Sequence, residues 1–218
     1  MSNDPERLRA LIIERLRDSR AHADIESAER ASTFSSLNAL VRQFLPDTPT
    51  AAAVLVPIVD RGDGLTVLLT RRASHLRHHA GQISFPGGRI EPADAGPFDA
   101  ALREAHEEIG LPRERVKLAG YLNPQLVVSG YWVTPVVGFI EPEFALTLDP
   151  SEVESTFEVP LAHVLDPANH QPRERSLGTT TLRVYEIPYG PYNIWGATAA
   201  MLMELYGVLS GRDRPPAV

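Results

Sequence analysis

Cysteine is missing from all 218 residues. That absence excludes disulfides, thiolate metal sites and a cysteine nucleophile together. Excess positive charge is missing too: the formal net charge is -7 at pH 7. Non-specific nucleic-acid binding requires a basic footprint, so nucleic acid is not an expected partner. Any nucleotide-like ligand has to be held locally, by a few arginines or through a metal. No apolar run approaches the roughly 20 residues of a membrane-spanning helix. The opening segment "MSNDPERLRALIIERLRD" places acids before its apolar residues and lacks the unbroken apolar core of a secretory signal. The expected location is the cytoplasm, away from membranes. Internal repeats and low-complexity tracts are absent as well.

What is present reads as an ordinary soluble protein, 43% hydrophobic and 22% charged, long enough for one sizeable domain. Leu8, Leu11, Ile12 and Leu16 recur at helical spacing, which predicts an amphipathic helix over about residues 5–19. A mixed connector follows, with a short helix expected around Leu37 to Phe44, stopped by Pro46. "AAAVLVPIVD" and "LTVLLTRR" are β-branched runs joined by the turn-type "RGDG", the pattern of a β-hairpin. Phe98, Leu102, Ala105 and Ile109 share one face of a helix that Pro97 can start and Gly110 can stop. Further strand-like runs are "VKLAGYL", "QLVVSGYWVTPVVGFIE" and "TLRVYEIPY", and "IWGATAAMLMELYGVL" reads as a packed, largely apolar helix. The expected organisation is α/β. Residues 1–48 form an N-terminal helical extension packed on the domain, 49–212 form the domain, and 213–218 form a disordered tail.

Chemistry concentrates in "GGRIEPADAGPFDAALREAHEEIGL", Gly87 to Leu111. Glu104, Glu107 and Glu108 fall on the polar side of the predicted helix. Like charges three and four apart repel by about 0.2–0.5 kcal/mol per pair. A solvated acidic face is the plain explanation. The sharper one is a divalent cation, because carboxylates at i, i+3 and i+4 can converge on one hard ion and lose their repulsion to it. "FPGG" just upstream favours the second reading. It lets the backbone turn sharply, approach a ligand and offer a free carbonyl.

These residues resemble the Nudix box, G-x5-E-x7-R-E-U-x-E-E-x-G-U with U an apolar residue. "REAHEEIGL", Arg103 to Leu111, fits its second half at every fixed position. The first half departs: Asp94 replaces the glutamate, and eight residues instead of seven separate it from Arg103. Asp94 is therefore not counted among the metal ligands. Upstream, "TRRASHLRHHAGQISFPGG" is similar to the motif of the coenzyme A diphosphatase branch, with Thr70, Arg72, Ala73, Arg77, Gly81 and Phe85 to Gly88 at its spacing. The aspartate and the longer gap are also typical of that branch. Weaker likeness continues to "WGATAAM".

The resemblance implies an α/β/α Nudix sandwich with a mixed, curved sheet. It implies Mg²⁺ or Mn²⁺ held by Glu104, Glu107 and Glu108, with a carbonyl from Gly88. It also implies hydrolysis of the pyrophosphate of coenzyme A by metal-activated water, giving adenosine 3',5'-bisphosphate and 4'-phosphopantetheine. Catalytic work falls to Glu104, Glu107 and Arg103. Glu152 and Glu154 in "DPSEVESTFEVPL" are alternative general bases, or ordinary loop charges. Arg72 and Arg77, with the Gly87–Gly88 backbone, are the expected substrate contacts, since a guanidinium binds phosphate bidentately. His75, His78 and His79 lack metal-type convergence and suit a partly solvated loop better than a zinc site. Tyr131 and Trp132 could stack on adenine or belong to the core. The alternatives are another Nudix hydrolase, acting on ADP-ribose, a dinucleotide or a nucleoside triphosphate, and a non-catalytic Nudix-like binding module. Monomer and homodimer are both compatible with the sequence.

Overall fold

Alternation along one strand organises the molecule. In the computed structural model, which describes residues 4–21, 48–177 and 180–211, the central strand β1 runs over Thr50–Asp60. Successive β-strand side chains point to opposite faces, and β1 is apolar on both. Ala52, Val56 and Ile58 enter one core, while Ala53, Leu55 and Val59 enter another. A strand buried on both faces is a near-continuous apolar run, which is how "AAAVLVPIVD" reads.

The predicted hairpin forms: β1 pairs antiparallel with β2, Leu65–Arg72, with Ile58 opposite Val67 and Asp60 opposite Leu65. The remaining strands of the main sheet are β3 (Ile83–Ser84), β4 (Gly87–Arg89), β5 (Val116–Tyr121), β6 (Gln125–Leu126), β7 (Tyr131–Ile140) and β8 (Val153–Pro160). This sheet has eight strands with a central path β3-β2-β1-β7-β5. β4 also pairs with β1, β6 with β7, and β8 with β2. Only the β1–β7 ladder among these is parallel, from Thr50↔Tyr131 to Val59↔Ile140, so the sheet is mixed. A separate three-stranded sheet holds β9 (Gln171–Leu177), β10 (Thr180–Tyr189) and β11 (Tyr192–Trp195), in the order β11-β10-β9.

Helices cover both faces. The acidic helix, Pro97–Ile109, buries Ala100, Ala101, Ala105 and Ile109 against the Ala53, Leu55 and Val59 side of β1. Its small alanines let the helix come close to the sheet. The other face carries the N-terminal helix, Pro5–Leu16, through Leu8, Ile12 and Leu16. The C-terminal helix, Gly196–Ser210, joins it there through Leu202 and Leu205. Asp4 caps the N-terminal helix, its carboxylate accepting from the backbone N–H of Glu6 and Arg7. Beyond that helix, Ser19 Oγ accepts from the Tyr121 N–H at 2.8 Å. Gly120 is required there, because a Cβ would lie 2.4 Å from Ser19 Oγ.

Two expectations change in detail. "QLVVSGYWVTPVVGFIE" is two strands, β6 and β7, separated by a turn in which Gly130 has φ +85°. "TLRVYEIPY" forms a strand as read, within β10 of the small sheet. Ile194 and Trp195 are the end of β11, opposite Ile187 and Glu186 of β10, and the C-terminal helix begins only after them. Gly196 makes that break with φ +65°, a backbone conformation glycine adopts freely. The short helix expected around Leu37 to Phe44 and the tail 213–218 lie outside the described residues. Among the described residues, no helix is long and apolar enough to cross a membrane.

Ile12 is fully buried between the N-terminal helix and the sheet. Ile12→Ala should therefore cost about 2–5 kcal/mol of unfolding free energy in a denaturant titration. A loss below about 0.5 kcal/mol would show that this helix is not part of the cooperative core.

Candidate active site

The acidic helix is held at both ends. Pro97 supplies its first position, and Gly110 closes it in the left-handed conformation, with its N–H directed to the carbonyls of Ala105 and His106. Its polar face lies along a cleft of about 870 Å³. Glu104, Glu108, Gly87, Gly88, Arg72 and Glu152 all line that cleft, so the structure brings together residues from the acidic helix, β4, β2 and the loop before β8.

Arg103 fixes the acids in place. Its Nε and Nη2 donate to the two carboxylate oxygens of Asp94, each at 3.0 Å, in a bidentate pair. Nη1 donates to Glu104 at 2.9 Å and to Glu107 at 3.1 Å. Nη2 donates also to the Arg89 carbonyl at 2.9 Å. A guanidinium carries five N–H donors, and here each has an acceptor. The Asp94 side chain is only 4% exposed. Its pKa lies below the ordinary carboxylate value, first because Arg103 donates to it, with the Glu91 N–H adding to the same effect. Asp94 thus anchors the arginine, which is the physical role of the position where the general box has glutamate.

The glycines are there for space. β4 lies against β1 with Gly88 opposite Ala53 and Gly87 opposite Val54. A Cβ on Gly87 would lie 2.4 Å from the Ala53 carbonyl oxygen, and one on Gly88 would lie 2.5 Å from the carboxylate carbon of Glu104. The Glu104 carboxylate therefore occupies the place a side chain would take, directly over the glycine backbone.

Glu108 is the most confined of the acids, at 3% exposure. Burial pushes its carboxyl up to about 8, and the charges of Glu152 and Glu104 push the same way. Arg72 and the Gly87 amide oppose them. Glu104 is raised as well, chiefly by burial, against the pull of Arg103. Glu152 reaches this site because its loop is tied to the helix: the Asp149 N–H donates to the Glu108 carbonyl at 2.9 Å, and the Glu152 N–H donates to the Asp149 carbonyl at 3.1 Å. Asp149 further holds the turn by accepting from the Ser151 N–H and hydroxyl.

Hard oxygen donors whose pKa values burial and neighbouring carboxylates raise, as at Glu104 and Glu108, set over a glycine backbone, fit a divalent cation such as Mg²⁺ or Mn²⁺. Glu104, Glu108 and a carbonyl of the Gly87–Gly88 strand are the residues that would hold it. Among the described residues, no three carboxylates or imidazoles are already drawn together as a closed cage. Glu107 is 57% exposed, turned to Arg103, and outside the cleft lining.

The other sequence candidates divide clearly. Arg72 lines the cleft, and its Nε is buried without a hydrogen-bond partner. Arg77 is exposed and does not line it. Glu154 pairs with Arg71 at 3.6 Å and is likewise outside the lining, unlike Glu152. His78 and His79 line the cleft, and His79 is held by Gln82 at 2.8 Å. Tyr131 lines it and accepts from Arg89 at 3.0 and 3.1 Å, whereas Trp132 is core at 4% exposure. Arg89, Gln82, Val128 and Trp195 also line the cleft without having been marked by the sequence.

Residues 49–178 match the NUDIX domain. Over 155 residues the chain is 45% identical to the "Uncharacterized Nudix hydrolase NudL" of Escherichia coli (strain K12), covering 71% of this chain and 80% of that protein. Over 154 residues it is 44% identical to the protein of the same description from Enterobacter sp. (strain 638), with the same two coverages. Among solved structures, a MutT/nudix family protein from Enterococcus faecalis is 17% identical, covering 88% of this chain and 76% of that one at a TM-score of 0.47.

Two outcomes follow from the geometry. Arg103→Lys keeps the charge and loses the fork. Mn²⁺ affinity in titration calorimetry should fall about 10–100-fold, the usual effect of losing an orienting partner, and unchanged affinity would show the fork to be dispensable. The second concerns pH. The Glu108 pKa is raised on folding from 4.5 to about 8, so the folded apoprotein holds a proton that the unfolded chain releases. Its stability should decline as pH rises through that window. A cation has to displace the same proton. The rise in melting temperature on adding Mg²⁺ should therefore grow between pH 6 and pH 8.5, and Glu108→Gln should abolish that growth. A pH-independent Mg²⁺ effect would contradict the assignment.

Proposed function

Since this chain belongs to the Nudix hydrolase family, a family of phosphoanhydride hydrolases, we propose that it cleaves the pyrophosphate bond of coenzyme A. The products are adenosine 3',5'-bisphosphate and 4'-phosphopantetheine. One observation carries the choice of substrate. The two stretches that bear the resemblance, Thr70 to Gly88 and Arg103 to Leu111, supply walls of the same cleft, through Arg72, His78, His79, Gln82 and Gly88 from the first and Glu104 and Glu108 from the second. A motif that merely stabilised the fold would not need to bring Arg72 and the Gly87–Gly88 backbone to the acidic pole.

Roles follow from placement. When bound, the divalent cation neutralises diphosphate charge and polarises water. Glu104 and Glu108 hold the acidic pole, and Arg103 positions them without reaching the substrate. Arg72, with a buried donor pointing at no protein acceptor, binds a phosphate oxygen of the substrate. Glu152 stands at the cleft within electrostatic reach of both Glu104 and Glu108 and takes the proton from the attacking water. Glu154 pairs with Arg71 on the strand and has no part in the reaction.

Product analysis by mass spectrometry after incubation with coenzyme A and Mn²⁺ tests the substrate. Faster turnover of ADP-ribose than of coenzyme A would overturn it, and no turnover with any substrate or metal would favour a binding module. Glu152→Gln should lower kcat about 10²–10⁴-fold, with Glu154→Gln near wild type. Equal effects at the two positions would remove Glu152 from its role.

A further inference from the structure

Large apolar side chains in water at the rim of a polar cleft call for an explanation. The exposed large hydrophobic residues among those described are Ile13, Leu118, Val128 and Trp195, and the last two, at 56% and 38% exposure, line the cleft. They arrive from unconnected places. Val128 sits in the turn between β6 and β7, next to Val127, and Trp195 ends β11.

Trp195 is exposed but not loose. The guanidinium of Arg175 lies 5.3 Å from its ring centroid. Arg175 is itself anchored by Nη2 on Glu186, the cross-strand neighbour of Trp195. Glu186 is buried and also accepts from Asn193 Nδ2 at 3.1 Å, with Arg173 Nε at 3.6 Å. A carboxylate with three partners thus fixes the cation beside the indole, and the indole keeps contact with the cleft.

We propose that Trp195, with Val127 and Val128, is the surface that receives the adenine base of the substrate. The inference rests on the reading that this cleft binds a nucleoside diphosphate derivative, and it goes further by assigning the base a place. A rigid, flat indole matches a rigid, flat purine, which gains contact with little loss of rotational freedom. A flexible aliphatic or amide arm would have to be ordered for the same contact. Stacking also tolerates water at the ring edge, as an open rim requires. Tyr131 is tied by Arg89 through its hydroxyl and Trp132 is core, so neither of the aromatics adjacent in sequence to the β6–β7 turn serves this purpose.

The test uses adenosine 5'-monophosphate, which has no anhydride to cleave, against 4'-phosphopantetheine. The chain has two tryptophans, and Trp132 is 4% exposed, so contact quenching reports on Trp195. AMP should quench the intrinsic fluorescence, and 4'-phosphopantetheine should not. By calorimetry Trp195→Ala should weaken AMP about 5–100-fold, the range of one lost base stack, while Trp195→Phe retains most of the affinity. Val128→Ser, on an exposed turn, should weaken AMP with the fold intact. Equal AMP affinity for native and Trp195→Ala proteins, no binding of AMP at millimolar concentration, or quenching by 4'-phosphopantetheine alone would each overturn the assignment. Trp195-dependent AMP binding in a protein that leaves coenzyme A intact would uphold the base surface and refute the coenzyme A reading alone.

Discussion

A single guanidinium sets the geometry on which the rest depends. Arg103 sits on the acidic helix, yet its strongest contact is the bidentate pair with Asp94 in the preceding loop. Its remaining donors reach Glu104, Glu107 and the Arg89 carbonyl at the end of β4. Loop, strand and helix are therefore fixed to one another through one planar group. Bidentate charge-assisted bonds of this kind are short and directional, so the Glu104 carboxylate has little freedom left over Gly88. The helix supplies the acids, and Arg103 decides where they point.

The same arrangement stores electrostatic tension. Glu108 is buried beside two other carboxylates, and the apoprotein relieves this by keeping a proton there. A site built this way is poorly satisfied on its own and well satisfied by a cation, so ion binding and local order are linked. The bonds from the Asp149 loop to the end of the helix carry Glu152 into the same field. The chain accepts repulsion at one pole because the two-sided apolar packing of β1 and the helices around it supplies stability elsewhere.

How far the sequence revealed this depends on the range of each interaction. Glu104 and Glu108 were legible because helical period alone decides which side chains share a face. The β1–β2 hairpin was legible from two β-branched runs and a turn. Contacts across loops were not: nothing local links Asp94 to Arg103, and the proline-broken segment between them hides their pairing. Glu152 and Glu154 were equivalent in sequence, but Glu152 ends the tied loop while Glu154 lies on β8 beside Arg71. Tyr131 and Trp132 alternate on one strand, so one had to face the cleft and one the core, and only the register with β1 decides which. Trp195 was read into a helix because the apolar run continues past it, while the actual break lies in the backbone of Gly196.

The walls of the cleft have separate origins in the chain. The acidic pole comes from β4, its helix and the Asp149 loop, whereas Val128 and Trp195 come from a turn and from the small second sheet. In evolutionary terms this is a modular division. Substitutions in the turn or along β9–β11 can reshape what the rim recognises while Arg103 and its partners keep the reactive pole unchanged. Divergence of ligand preference among proteins sharing this architecture should therefore accumulate at the rim, and the hub around Arg103 should drift least.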